Sequence, residues 1–502
     1  MLCDPPLEGA DRNRRLSMEK KRDKSRLLYL IPLLGTIFCM GYILAASEDV
    51  VYSDYIRLVN SYLPDVWDPK TFFVADILTR IPVNFLERII NVTFFGYSTT
   101  FEMLLGAACH GVAAILLTTY CRERKLGLGW YLFMMVFFFS LNKWEMLTNG
   151  TGWCHFLAFA GFYYHYRLWD RVWARQMAGR AKAVKTADEM AARAQDKKDR
   201  IWLQVLPWLI TLGMAGPYCG SYSAVLLLTY GSCFILDWAD KKRPDMRHLL
   251  YSLHVLLPLG LYLLSSSCVI ADPADPMGTG RSFSQVFQDD PMLFPKFLLK
   301  GFASMVMGEE VMMELLADLG KGMLLCYLAG LLVLAGYVLA LWLQVRGKLY
   351  KTTIFPLMLL FGGGLNHLLV LAARWVFERS SYGMSSRYAL QYQVGVIGII
   401  LTVGLVFGQK KRERAGMFAE KTMALLLAAV LLMGNVYTTC EELEKAPYRK
   451  WYAKDLQAAA LRYEEIEDEE LVRLFQYDHG AEKIRQALSI LKEQQWNVYR
   501  ER

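Results

Sequence analysis

The sequence contains no GxxxxGKS/T loop, no GxGxxG after a strand-like run, no HExxH and no GxSxG elbow. P-loop nucleotide chemistry, dinucleotide redox chemistry, zincin proteolysis and hydrolase-type acyl transfer therefore have no local support. Histidine is scarce at 7 residues, and the 10 cysteines are scattered, with no CxxC and no Cys/His pair at zinc spacing. Most cysteines lie inside apolar runs, where a thiol acts as a small apolar side chain. Cys154, Cys219, Cys268 and Cys440 lie near run ends and could pair. Charge is also thin: 21% of residues are charged, against about 25% in soluble domains.

Apolar residues fill that space. They make up 54% of the chain, and the mean hydropathy is +0.22. A spanning helix needs about 20 apolar residues, because each residue rises about 1.5 Å across a core about 30 Å thick. Runs near 27–46, 98–120, 126–142, 153–167, 201–216, 222–237, 248–270, 322–345, 352–377, 389–408 and 422–438 meet or approach that length. The expectation is an all-α, polytopic transmembrane bundle of about eleven spans, with a range of about ten to twelve because 153–167 and 201–216 are short.

Basic residues near span ends are retained in the cytoplasm. More than half of the 56 Lys and Arg fall in alternate connections, among them "RNRRLSMEKKRDKSR", "CRERK", "DKKRPDMR" and "QKKRERAGMFAEK". This places residues 1–26 inside as a basic cytoplasmic N-terminus. The first loop then faces out, in the cell (plasma) membrane. The net charge of +8 follows from inner-face cations meeting anionic headgroups, without nucleic acid as a partner. The first run is longer than a signal-peptide core of about 7–15 residues and reads as an uncleaved anchor.

The outer segments carry the polar interest. The first outer loop, 47–97, opens with "SEDVVYSDYIRL", bringing Glu48, Asp49, Tyr52, Asp54 and Arg57 straight after a membrane exit. At roughly fifty residues it far exceeds an ordinary connection of about two to eight. Its second half, "FFVADILTRIPVNFLERIINVTFF", is apolar with sparse charges and is divided by Pro82, suggesting two short interfacial helices. The next outer stretch, "SLNKWEMLTNGTGWCHF", crowds Lys143, Trp144 and Glu145 against the boundary. A carboxylate there needs a partner or water, and Lys143 is the nearest partner in sequence. Asn91-Val-Thr and Asn149-Gly-Thr match the glycosylation acceptor pattern.

A second large outer loop, 271–321, holds Arg281 and a run of methionines, Met305, Met307, Met312 and Met313, which read either as packing or as the lining of an acyl-chain channel. "SSRY" places Arg387 and Tyr388 at the surface after "RWVFERSSYGM", which carries Arg374 and Arg379. A guanidinium there either snorkels to headgroups or binds a phosphate bidentately. Asn366 and His367 fit interhelical hydrogen bonding, and "FGGGLNH" is the one candidate helix break. Residues 439–502 form a soluble helical tail, outside if the span count is odd.

The order of elements resembles the GT-C superfamily of multispanning glycosyltransferases. The likeness rests on the basic N-terminus, one span, the acidic opening "SEDVVYSDY", the interfacial helices, "NKWE" and "SSRY". It implies a GT-C-like domain over 27–438. It also implies a sugar donor on a polyprenyl phosphate and a first-loop carboxylate as catalytic base, with Asp49, Asp54 and Glu48 as the candidates. Such chemistry needs a base for the acceptor hydroxyl and cations for the departing phosphate. Single displacement would invert the anomeric centre. On this reading Glu145, with Lys143 and Trp144, orients the glycan or lipid-linked acceptor or a divalent metal (Mg or Mn). Arg57, Arg281, Arg387 and Tyr388 hold the donor. A lipid-linked glycan transporter or flippase, or a glycan polymerase or ligase, would use many of the same features.

Overall fold

The computed structural model describes residues 26–69, 82–181, 189–241, 245–267, 278–320, 322–408 and 417–500. The basic N-terminal segment, the first interfacial piece with Asp76 and Arg80, the end of the run at 248–270 with Cys268, and the start of the second outer loop lie outside them. Among the described residues the chain is all helix, with no strand. Eight helical segments are long and apolar enough to cross a membrane, which is the build of a multi-pass membrane protein.

In chain order the helices are α1 (Leu30–Ala46), α2 (Asp54–Tyr62), α3 (Pro82–Ile90), α4 (Thr99–Glu123), α5 (Leu128–Phe138), α6 (Trp153–Ala181), α7 (Glu189–Gly213), α8 (Cys219–Lys241) and α9 (Met246–Ser267). They continue as α10 (Leu293–Ala303), α11 (Glu309–Asp318), α12 (Leu324–Arg346), α13 (Phe355–Arg374), α14 (Ala389–Gly408), α15 (Phe418–Leu461), α16 (Asp468–Phe475) and α17 (Ala481–Glu493). The runs expected at 126–142, 153–167 and 201–216 are helical, as α5, α6 and α7, but fall outside the eight.

Helix α14 is the centre of the bundle, buried at every residue from Ala389 to Gly404. Its neighbour α13 lies against it through glycine: a Cβ on Gly363 would strike the Gly395 backbone. Small residues let two membrane helices approach where no hydrophobic force distinguishes protein from lipid. The "FGGGLNH" run is therefore a packing face within an unbroken helix, not a break. Asn366 donates to the Gln391 carbonyl at 2.9 Å across the same contact.

Helix α3 is amphipathic in the sense suited to lipid. Asn84, Glu87 and Arg88 are buried toward the protein, while Leu86, Ile90 and Phe94 are exposed. Arg88 sits 3.9 Å above the Tyr62 ring. Burial and the neighbouring Glu102 charge hold the Glu87 carboxyl well above the ordinary carboxylate range, against the pull of Arg88.

The C-terminal residues form a second core with the first loop. Tyr55, Ile56, Val59 and Tyr62 of α2 pack with Leu471 and Phe475 of α16 and Ile484, Leu488 and Leu491 of α17. Helix α15 carries the chain there without interruption at 438–439, so the tail grows directly out of the last apolar helix.

Candidate functional site

The loop after α1 turns within a few residues. Asp49 Oδ1 accepts from the Thr99 backbone N–H at 2.7 Å, the Thr99 hydroxyl at 2.9 Å and the Asn497 amide at 3.0 Å. That carboxylate fastens the loop to the start of α4 and to the tail. Ser53 follows with φ 52°, a left-handed backbone uncommon outside glycine. Its N–H donates to the Phe475 carbonyl at 2.8 Å, so the tail holds the strained turn. Asp54, first residue of α2, emerges from that turn.

The "NKWE" stretch divides its labour. Asn142 donates to the Ser304 carbonyl at 2.6 Å, and the buried Lys143 ammonium donates to the Phe138 and Ser140 carbonyls at 2.8 and 2.9 Å. Lys143 thus caps the orphan carbonyls at the end of α5. It neither pairs with Glu145 nor reaches the cavity. Burial pushes its ammonium down to about 8. With that turn fixed, Trp144 and Glu145 project the other way. Gly150 is required nearby, since a Cβ there would collide with the Tyr55 hydroxyl.

Glu145 meets "SSRY" across the molecule. One carboxylate oxygen accepts from the Ser386 hydroxyl at 2.8 Å and the other is bound by the Arg387 guanidinium. The same guanidinium stands 3.6 Å from Asp54 Oδ2. Arg387 is therefore bracketed by two carboxylates from distant parts of the chain, with side chains 43%, 34% and 24% exposed for Arg387, Asp54 and Glu145.

Two cavities meet at this group and share Glu145, Asn149 and Arg387 as a common wall. The larger, about 540 Å³, is lined by Asp54, Arg57, His155, Tyr218, Arg374, Tyr382 and Tyr388. Its three arginines outnumber its two carboxylates, which favours an anion. Arg374 donates to the Tyr388 hydroxyl at 2.7 Å, fixing both on one wall. The smaller, about 260 Å³, is lined by Glu48, Tyr52, Trp144, Tyr448, Arg449, Tyr452 and Gln476 among others. Burial, then the Glu145 charge, push the Tyr52 hydroxyl up to about 12, so it stays a protonated donor at neutral pH.

The remaining candidates lie elsewhere. Arg281 pairs with Glu378 at 2.7 Å and with Asp289, and lines neither cavity. Cys154, Cys219 and Cys440 are free thiols. Asn91 is fully buried, its amide donating to the Ser98 carbonyl at 3.1 Å, and in the folded chain it presents no acceptor for a glycan. Met305 and Met312 are core residues, with no channel between them needed to explain their packing. A divalent ion does not fit Asp54 and Glu145, because the Arg387 cation occupies the space a shared dication would need. Among the described residues, Asp237, Asp245 and His248 have ligand atoms within 4.8 Å of one another, and none of the three lines either cavity.

The contribution of the tail, through Tyr448, Arg449, Tyr452 and Gln476, was not signalled by any catalytic pattern. The only hint was the aromatic-basic run "YRKWY" at 448–452. Comparison with protein-family models, curated proteins and solved structures gives no match.

Proposed function

We propose that this chain is a membrane glycosyltransferase of GT-C type, moving a sugar from a polyprenyl-phosphate donor to an acceptor at the outer face. The observation that carries the reading is the convergence of Asp54, Glu145 and Arg387 at the waist between two cavities, one of them rich in arginine. Asp54 takes the proton from the acceptor hydroxyl. The freed oxygen attacks the anomeric carbon as the bond to the phosphate oxygen breaks, and the electron pair leaves with the polyprenyl phosphate, inverting the centre. Arg387, with Arg57 and Arg374, meets the charge that grows on that phosphate. Asp49 is the weaker candidate for base, since one of its oxygens already takes three hydrogen bonds.

A lipid-linked donor also needs a place for its chain. An apolar groove of about 590 Å³ runs along α10, α12 and α13, lined by Leu298, Leu299, Phe302, Leu334, Leu365 and His367. Three packed rings lie between it and the larger cavity: His367, on the groove wall, stacks on Tyr392 at 3.8 Å, and Tyr392 lies 6.2 Å from Tyr388, on the cavity wall.

We read α5, α6 and α7 as three further crossings, giving eleven. The first loop and the tail share one core, while Leu28 meets Tyr131 and Thr353 meets Asp170 at the opposite end of the bundle. A chain entering at one end and finishing at the other crosses an odd number of times, which eight would not satisfy. With the N-terminus cytoplasmic in the cell membrane, the cavities face out.

The test is the surface-glycan composition of a host lacking the gene, complemented with wild type, Asp54→Asn, Asp49→Asn or the variant carrying both substitutions. Loss of one sugar, restored by wild type and by Asp49→Asn that reaches the membrane but not by Asp54→Asn, supports the reading. Full restoration by Asp54→Asn removes Asp54 as the base, and restoration by the double variant would favour transport.

A further inference from the structure

The smaller cavity has a chemistry of its own. Both arginines on its wall are spent: Arg387 is held by Glu145 and Asp54, and Arg449 donates to Glu442 at 2.9 and 3.1 Å and to Glu310 at 2.9 Å and lies 3.3 Å above the Trp144 ring. The rest of the wall is aromatic and amide, with Tyr448, Asn149, Tyr452 and Gln476, whose amide donates to the Tyr452 hydroxyl at 2.9 Å, and the Glu48 carboxylate, 3.5 Å from the Lys450 ammonium. Such a wall suits neutral hydroxyls and ring C–H faces, since amides and carboxylates bond hydroxyls while aromatic faces cover apolar ones.

At its mouth Tyr448 pairs with Trp451 at 5.8 Å, and the two are 66% and 58% exposed. Large aromatics left this open ordinarily mark a membrane-interface belt. Their position argues otherwise. Helix α15 has 44 residues, about 66 Å at about 1.5 Å per residue, more than twice the bilayer core of about 30 Å. Its apolar part ends near Thr438, so Tyr448 stands about ten residues, or about 15 Å, beyond it. There it lines a cavity rather than facing lipid.

We infer that the smaller cavity is the acceptor subsite and that it takes a carbohydrate, one sugar ring covered by Tyr448 and its hydroxyls read by Gln476 and Glu48. This rests on the transferase reading for its role, though not for its ligand. The waist then separates two substrates: phosphate on the arginine side, acceptor on the aromatic side, and the reacting hydroxyl passing Glu145 to reach Asp54.

The full chain in lipid nanodiscs would be applied to a printed array of defined oligosaccharides, and its thermal shift with polyprenyl phosphate measured in parallel. Wild type should bind a subset of glycans, Tyr448→Ala and Gln476→Ala should weaken that binding about tenfold, and Tyr448→Trp should retain it. The polyprenyl-phosphate shift should be unchanged in these variants and reduced in Arg374→Ala, whose glycan binding should stay intact. Tyr448 and Gln476 are both exposed, so misfolding does not cloud the result. No glycan bound by wild type, or binding unaffected by both alanine variants, overturns the assignment. Tyr448-dependent glycan binding in a chain whose wild type transfers no sugar from polyprenyl phosphate would sustain the subsite and remove the transferase reading.

Discussion

The two ends of the bundle handle buried charge in opposite ways. At the end away from the cavities, Asp170 is 2% exposed and saturated: it takes the Arg124 guanidinium at 2.5 Å, the Thr353 hydroxyl at 2.6 Å, and the Ile354 and Phe355 N–H groups at 2.7 and 3.1 Å. Helix α13 begins there without a side-chain cap of its own, and Asp170 supplies one from α6. At the cavity end, Asp54 is 34% exposed and stands 3.6 Å from a guanidinium that Glu145 already holds. A carboxylate filled on every side can only stabilise. One left partly open beside a fixed cation can exchange a proton with something that enters.

That contrast can be broken at several points. The largest effect should come from Asp170→Ala, which leaves Arg124 and two helix-start N–H groups without their acceptor. Removing one partner of a buried pair costs about 3–5 kcal/mol, read as a lower unfolding midpoint in detergent. Sugar transfer by the folded fraction should be unchanged. Arg387→Ala should do the reverse, cutting transfer by about 10²–10³, as for loss of a group that meets transition-state charge, with a small change in midpoint. If both variants behave alike, the distinction between the ends fails.

Asp49→Ala should fall between. It frees Thr99 and Asn497 and should cost about 1–3 kcal/mol, seen as faster proteolysis of the tail with the unfolding of the bundle little changed. A last test, confined to alkaline pH, concerns Lys143, a buried cavity-end residue whose ammonium donates to two carbonyls. Its ammonium is depressed from 10.5 to about 8 by burial, so the folded chain binds fewer protons than the unfolded one between those values. Stability should therefore rise with pH from about 8 to 10.5 and stay flat just below, and Lys143→Met should abolish the slope in a pH series of unfolding midpoints.

Much of this was legible beforehand. Apolar run length announces the membrane helices, and the acidic opening "SEDVVYSDY" together with "NKWE" and "SSRY" offers Asp54, alongside Glu48 and Asp49, with Glu145 and Arg387 as candidates before any geometry is known. What the runs cannot show is which face each residue takes. Asn142, Lys143, Trp144 and Glu145 are adjacent, yet two are hooks into the bundle and two face the cavity, decided by a single turn at 141–143. Likewise Glu48, Asp49 and Asp54 look interchangeable, and only tertiary partners separate the tether from the open carboxylate. The tail escaped notice because its aromatic and amide groups act in the company of residues hundreds of positions away.

The joining of the first loop to the tail bears on how the protein is made. Ser53 is held by Phe475, Asp49 by Asn497, and Asn60 by the Lys483 carbonyl at 2.8 Å. Residues near 50 leave the ribosome long before those near 480, so the turn that aims Asp54 has no clamp through most of synthesis. A chain cut short before the last helices would keep its apolar helices but lack all three contacts that hold this turn.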